Sequence, residues 1–458
     1  MNNTNCFKDF IKYSSLNVLG MVGLSCYILA DTFFVSKGLG TNGLTALNLA
    51  IPIYSFIHGS GLMIGIGGGT KYSIIKSQND KGAANRTFTN AVILALGFAI
   101  VFFIIGIFFS EAIVEMLGAD ETVFHMSKTY LQVILLFSPM FILNNILLCF
   151  VRNDGAPHLS MTAMIVGSLS NIVLDYIFIF PFKMGILGAV LATGLAPVIS
   201  MLVLSSFFFK KKNCFHLKKC KISSKLTMTI FSSGLPSLIT EVSSGIVIII
   251  FNIIILRLQG NIGVAAYGVI ANLSLVVMAI YTGVAQGIQP IISSNYGSGN
   301  HANVQAILRY ALTSVLVISG IVYLCVFFGA SQMANIFNSE QNALLQSIAV
   351  TGLKYYFTAC LFAGFNIIMS VYFTSTEYAL PAHIISILRG FVIIIPMAFL
   401  LSSIGGMIGV WCAFPVTESL VSIIGITLYL LHKNKAAHKD NSFRNKLISQ
   451  TNGGFENE

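Results

Sequence analysis

Charge is scarce in this chain: Asp, Glu, Lys and Arg make up 9% of its 458 residues, against roughly 25% in an average soluble domain. Tryptophan occurs once, 55% of residues are hydrophobic, and the mean hydropathy is +0.83. So little charge excludes an ordinary water-soluble fold. Paired cysteine spacing is also missing. Five of the eight cysteines (Cys26, Cys149, Cys325, Cys360, Cys412) fall inside apolar runs, which excludes a disulfide framework and leaves them as small packing residues. Cys214, His216 and Cys220 share a basic segment, but no second ligand cluster completes a four-coordinate metal site. Nucleotide and enzyme motifs are lacking too. The GIGGGTK stretch at 65–71 has neither the four-residue gap of a phosphate loop nor a strand before it. The Ser/His, GxGD and HExxH patterns of intramembrane enzymes do not occur, so an enzyme is not expected.

What the chain has instead is length of apolar sequence. A bilayer core of about 30 Å takes roughly 20 apolar residues per spanning helix, and punctuation by polar residues, Gly and Pro divides the chain into twelve such runs. They lie near 10–36, 45–70, 87–109, 125–151, 159–182, 184–209, 226–257, 265–295, 304–329, 345–374, 379–401 and 406–431. Unbroken stretches such as Val247 to Ile255 exclude the alternating pattern of a membrane barrel. The first run contains Asp31 and no small-residue cleavage site, so it reads as a retained helix rather than a signal peptide.

Basic residues fall on one set of connections: Lys8 and Lys12, Lys71 to Arg86, Arg152, the lysine-rich Lys210 to Lys225, Arg309, and Lys433 to Lys446. The alternate connections carry Glu111, Glu115, Asp120, Glu121 and Glu340. By the positive-inside rule both termini face the cytoplasm. The net charge of +10 reads as orientation and anionic-lipid contact, because the lysines lack the aromatic interleaving of a nucleic-acid surface.

The lysine-rich segment divides the chain nearly in half, and the halves repeat. At an offset of 220, Gly40, Gly43, Ala46 and Gly67 fall on Gly260, Gly263, Ala266 and Gly287; near 221, Gly185, Gly188 and Ala192 fall on Gly406, Gly409 and Ala413. Six helices per half make the repeats parallel, with sites expected between or inside the halves. The expected organisation is a bundle over 1–212, a basic linker over 213–225, a second bundle over 226–432 and a disordered tail over 433–458.

A carboxylate inside a bilayer needs a partner, a wet cavity or a task. Asp31, Asp175, Glu241 and Glu418 are four such acids, two per half. Asn171 lies one helical turn from Asp175 and shares its face, so Asp31, Asn171 and Asp175 are candidates for one cluster. Ionising an acid in apolar surroundings is costly, so such a group takes a proton or binds a cation such as Na⁺. The competing reading is hydrogen-bonded glue between helices. Gln286 and Gln289 beside Pro290 are candidates for a substrate cavity on a bent helix, with Glu418 as a third; the competing reading for the glutamines is again interhelical bonding. Arg389 has no neutralising neighbour in sequence and reads as a snorkelling side chain. Aromatic residues, 12% of the chain, suit lipophilic cations or simply lipid.

Several stretches resemble the multidrug and toxic compound extrusion (MATE) family: VRNDGAPHLSM at 151–161, NIVLDYIFIF at 171–180, MGILGAVLAT at 184–193, GLPSLITE at 234–241 and QPIISSNYGSG at 289–299. The resemblance runs from residue 10 to residue 431. It implies an all-α polytopic membrane protein whose twelve transmembrane helices form a V-shaped pair of six-helix bundles. It also implies export of organic cations and drugs, with Na⁺ or H⁺ entering as the driving ion and no cofactor. By position it implies that Asp31, Asn171 and Asp175 form a first-half ion site, that Thr193 adds a ligand, and that Glu241 is an acid some members use. Val190 stands where alanine is commoner and Asn153 where glycine is. Expected partners are small cationic or amphiphilic molecules and membrane lipids, with no nucleic acid, for a monomer in a bacterial inner membrane. Within the same superfamily, a flippase for lipid-linked precursors is the alternative; its cavity would show several cations, whereas the intramembrane charges here are mainly acidic. A receptor or scaffold would give the duplication and the acids no purpose.

Overall fold

The computed structural model describes the backbone of residues 3–338 and 341–452 and the side chains of 6–338 and 341–433. Glu340, residues 453–458 and the side chains beyond 433 therefore fall outside the described residues; over 433–452, expected as a disordered tail, the backbone continues the last helix. Among the described residues every regular element is a helix, with no strand. Eight helices are long and apolar enough to span a membrane, and a ninth span is the pair Phe124–Leu136 and Ser138–Asn153, bent by 46°. Three of these hold two spans each, because one glycine in each leaves helical geometry: Gly40, Gly260 and Gly406.

These glycines are reversals. Tyr27 and Tyr54 touch through their hydroxyls at 3.2 Å, which a straight helix rising about 1.5 Å per residue would hold tens of ångströms apart. Phe251 and Tyr267 stack at 5.6 Å across Gly260. A Cβ on Gly409 would collide with the Leu401 carbonyl across Gly406. Gly40 (φ 66, ψ −158) and Gly260 (φ 62, ψ −156) have nearly the same backbone conformation, in a region open essentially to glycine alone. The glycine repeat at offset 220 thus marks a duplicated single-residue turn.

The twelve spans are α1 (3–39), α2 (41–77), α3 (Lys81–Phe108), α4 (124–153), α5 (Pro157–Ile179), α6 (Gly185–Phe209), α7 (224–259), α8 (261–297), α9 (His301–Phe337), α10 (Ala343–Ser375), α11 (379–405) and α12 (from 407). Polar caps start several of them: Asp80 accepts from the Ala83 N–H at 2.8 Å and Asn300 from the Asn303 N–H at 3.2 Å, satisfying donors that the first turn leaves free. The connections alternate between two faces. One carries the start of α1 and the 78–80, 154–156, 210–223, 298–300 and 376–378 turns; the other carries Gly40, 109–123, 180–184, Gly260, Asn338 with 341–342, and Gly406.

Each half has its own apolar core, with one exchange. Cys6 and Phe10 of α1 pack into the second half's core, and Ile230 of α7 into the first half's. The 210–223 segment is held on α3, where Asn85, Thr89 and Asn90 side chains accept from the backbone of His216, Lys218 and Ser223.

Three local features depart from the sequence expectation. The α4 bend falls at Phe137, just before Pro139. No break accompanies Pro290; the only non-helical residue in its stretch is Gly260. A π-turn occupies Leu388–Val392 in α11, closed by the Ile393 N–H on the Leu388 carbonyl at 2.9 Å.

Candidate functional site

Inside the first half, α1, α5 and α6 bring four of the expected residues together. Asp31 is 7% exposed, Asn171 and Asp175 are fully buried, and Thr193 is 6% exposed. The single-turn spacing on α5 points Asn171 and Asp175 the same way. In the amide orientation that satisfies both its ends, Asn171 donates to Asp175 Oδ2 at 3.1 Å and accepts from the Thr193 backbone N–H at 3.2 Å. Asp31 and Asp175 lie within hydrogen-bonding reach of each other, and one oxygen of each, Oδ1, has no partner. Tyr130 of α4, which no local sequence signal marks, reaches Thr193. Adjacent acids with spare oxygens can share a proton or coordinate a monovalent cation, and two bare carboxylates so close and so buried would repel. The residues therefore fit either ion.

The remaining expected residues lie elsewhere. Glu241 of α7 is about one-third exposed and stands between the halves, its Oε2 3.5 Å from His58 Nδ1 on α2. Gln286 and Gln289 of α8 face the first half. Gln286 accepts from Arg152 at 3.0 Å; Gln289 donates to Thr70 at 2.9 Å and exchanges two 3.1 Å bonds with Asn153. Asn153, the departure from glycine, thus forms part of the contact between halves.

Glu418 of α12 is fully buried inside the second half. It takes Arg389 Nε at 2.5 Å and the Asn366 amide at 2.7 Å. This corrects the snorkelling expectation for Arg389, whose π-turn sets it against α12. Glu418, read from sequence as a cavity residue, is committed to that pair.

Arg152 is the second correction. The sequence places it among loop charges, because it ends an apolar run, but it is 1% exposed where the halves meet. It donates to Asn17 at 2.7 Å, Gln286 at 3.0 Å and the Cys149 sulfur at 3.5 Å. Around it the halves approach backbone to backbone. A Cβ on Gly287 would lie 2.6 Å from Ser14 Cα, and one on Gly67 would strike the Ile230 carbonyl. These are the same repeat positions, 67 and 287, used twice about a pseudo-twofold axis. Lys71 pairs with Glu377 at 2.5 Å and Gln78 reaches the Gly297 carbonyl at 3.3 Å. Among the described residues, every hydrogen bond or ion pair between the halves lies at the level of His58 or nearer the N-terminal face.

A cavity of about 80 Å³ enters the first half beside this seam, between Arg152 and Gln286 at one end and Tyr27 and Thr193 at the other. Thr193 therefore borders both the cavity and the acid cluster.

Two matched six-helix halves, joined along one face with acids buried within them, define a membrane transporter built by duplication. The MatE family model matches residues 18–177 and 236–400, one segment in each half, and the chain belongs to the MATE family. It is similar to "Multidrug export protein MepA" of Staphylococcus saprophyticus, 26% identical over 94% of this chain and 95% of that protein. The protein of the same name in Staphylococcus aureus is 26% identical, with 94% of each chain covered. Its fold matches a solved outward-facing conformation of a multidrug resistance MATE family transporter of the MOP superfamily, with a TM-score of 0.88, 23% identity, and coverage of 94% of this chain and 96% of that one.

Proposed function

We propose that this chain is a secondary antiporter that exports organic cations and amphiphilic drugs in exchange for inward Na⁺ or H⁺. The observation that carries the proposal is the Asp31 and Asp175 pair, each with an unpartnered buried oxygen, in a family whose curated relatives include multidrug export proteins. The basic face is cytoplasmic in this reading, so the seam closes the inner side and the opposite side is open. Residues 1–212 and 226–432 act as two bodies joined by 213–225, in a monomer surrounded by bacterial plasma-membrane lipid.

The α1 helix supplies the link between ion and gate. It holds Asp31 in the acid cluster, and nearer its start it places Asn17 on Arg152 and Ser14 against Gly287. An ion taken up at Asp31 and Asp175 alters how α1 packs, and α1 is also one wall of the seam. The ion drives transport only if it binds one conformation more tightly than the other.

The test is efflux of a fluorescent organic cation from proteoliposomes under separately imposed Na⁺ and pH gradients. Wild type should respond to one gradient, and Asp31→Asn should abolish that response with insertion intact. Unchanged efflux in Asp31→Asn removes the cluster from the mechanism, and loss only in Glu241→Gln moves coupling to the seam. No efflux under either gradient favours the lipid-precursor flippase.

A further inference from the structure

The cavity beside the seam has a charge imbalance that the acid cluster does not relieve. Its lining includes Arg152 and His58 and no Asp or Glu. Arg152 is 1% exposed, makes no ion pair among the described residues, and leaves Nε without a partner. Nearby carboxylates are engaged elsewhere. Asp154 is bonded to Lys76, the Tyr72 hydroxyl and the Cys214 backbone N–H, and Glu241 faces His58.

The other unsatisfied groups in the lining also favour an acceptor. Ser200 Oγ has no partner. The Tyr27 and Tyr54 hydroxyls share one bond, which leaves one of their two protons to donate. Asn144 has a buried oxygen without a partner, an acceptor that a water in the same space would satisfy. Water would satisfy hydrogen bonds here, and the space admits several molecules. Water does not neutralise a guanidinium, and a buried charge without a counter-charge is strongly disfavoured.

We propose that this cavity binds a small monoanion on Arg152, either free chloride or the carboxylate of a cargo molecule whose apolar part lies against Met21, Phe141 and Met164. Naming cargo as one source rests on the transport reading; the anion site itself does not. The site also bridges the halves, since Arg152 bonds both Asn17 and Gln286, so an anion there stabilises the seam.

The experiment uses purified full-length protein in detergent at constant Na⁺, with sodium gluconate replaced by sodium chloride or sodium benzoate, and benzamide as the uncharged control. Thermal unfolding is followed by the fluorescence of the sole tryptophan, Trp411. Either anion should raise the midpoint saturably and benzamide should not; chloride alone identifies a free-ion site, and benzoate a cargo carboxylate. Arg152→Gln should weaken the apparent affinity roughly tenfold or more, and Arg152→Lys should retain part of it.

Arg152→Gln could fail to fold, so Cys149→Asp is the second variant. It places a carboxylate on the turn that already touches Arg152, which should raise the midpoint in gluconate and abolish the anion response. No saturable response in wild type, or an undiminished one in Cys149→Asp and Arg152→Gln, overturns the proposal. Dye efflux is scored separately: efflux without an anion response refutes only this site, and an anion response without efflux refutes only the transport reading.

Discussion

Neutralising Glu418 as Glu418→Gln leaves Arg389, 13% exposed, facing an amide in the interior of the second half. Removing one member of a buried ion pair typically costs about 3–5 kcal/mol, while replacing both with apolar groups is often near neutral. The Asn366 amide, which donates to Glu418 at 2.7 Å, can still donate to the glutamine oxygen, so the lower end of that range applies to Glu418→Gln. Arg389→Met should sit at the upper end, because it strands a carboxylate that is fully buried. In a unit of about 200 residues, 1 kcal/mol moves the thermal midpoint by roughly 2–4 °C, so Glu418→Gln should melt about 6–12 °C lower and Arg389→Met about 10–20 °C lower. The double variant Arg389→Met with Glu418→Gln, which leaves no unpaired charge in the interior, should recover most of that loss. The assay is thermal unfolding of the four proteins in one detergent, read as a double-mutant cycle. Additive single effects, with the double variant the least stable, would refute the claim that these residues act as a pair.

Two further outcomes follow from the seam and the linker. Gly287→Leu should force the halves apart at Ser14, whose Cα would lie 2.6 Å from the new Cβ; cross-linking by a short bis-maleimide between cysteines placed at Lys71 and Glu377, whose side chains meet across the seam, should then fall several-fold, and unchanged cross-linking would show that the seam closes without that approach. Partial burial, with the Asp154 carboxylate adding to it, pushes the Cys214 thiol above its ordinary value, so a variant retaining Cys214 as its only cysteine should alkylate slowly at neutral pH and speed up as pH rises. Asp154→Asn should shift that rise to lower pH, and an unshifted profile would separate the thiol from Asp154.

What the sequence displays plainly is whatever the bilayer or the backbone imposes locally. Twelve spans are readable because hydrocarbon thickness sets their length, and the duplication is readable because Gly40 and Gly260 occupy a conformation that other residues avoid. Asn171 and Asp175 are legible as a pair because one helical turn separates them. Asp31 joining them is a tertiary fact that the family pattern supplies and local spacing does not. Arg389 and Glu418 sit on neighbouring helices, far apart in sequence, so nothing local announces the pair. Arg152 misleads because the end of an apolar run reads as a loop, whereas a second bundle covers that end. Tyr130 carries no signal at all.

The single-glycine reversals leave almost nothing on their side of the membrane for another molecule to grip. With one residue between α1 and α2, and one between α7 and α8, a protease has no extended segment there to thread and an inserted epitope has no slack to occupy. Digestion or tagging from that side is confined to the longer connections, chiefly 109–123, and an insertion at Gly40 or Gly260 would separate two helices now joined by a single residue.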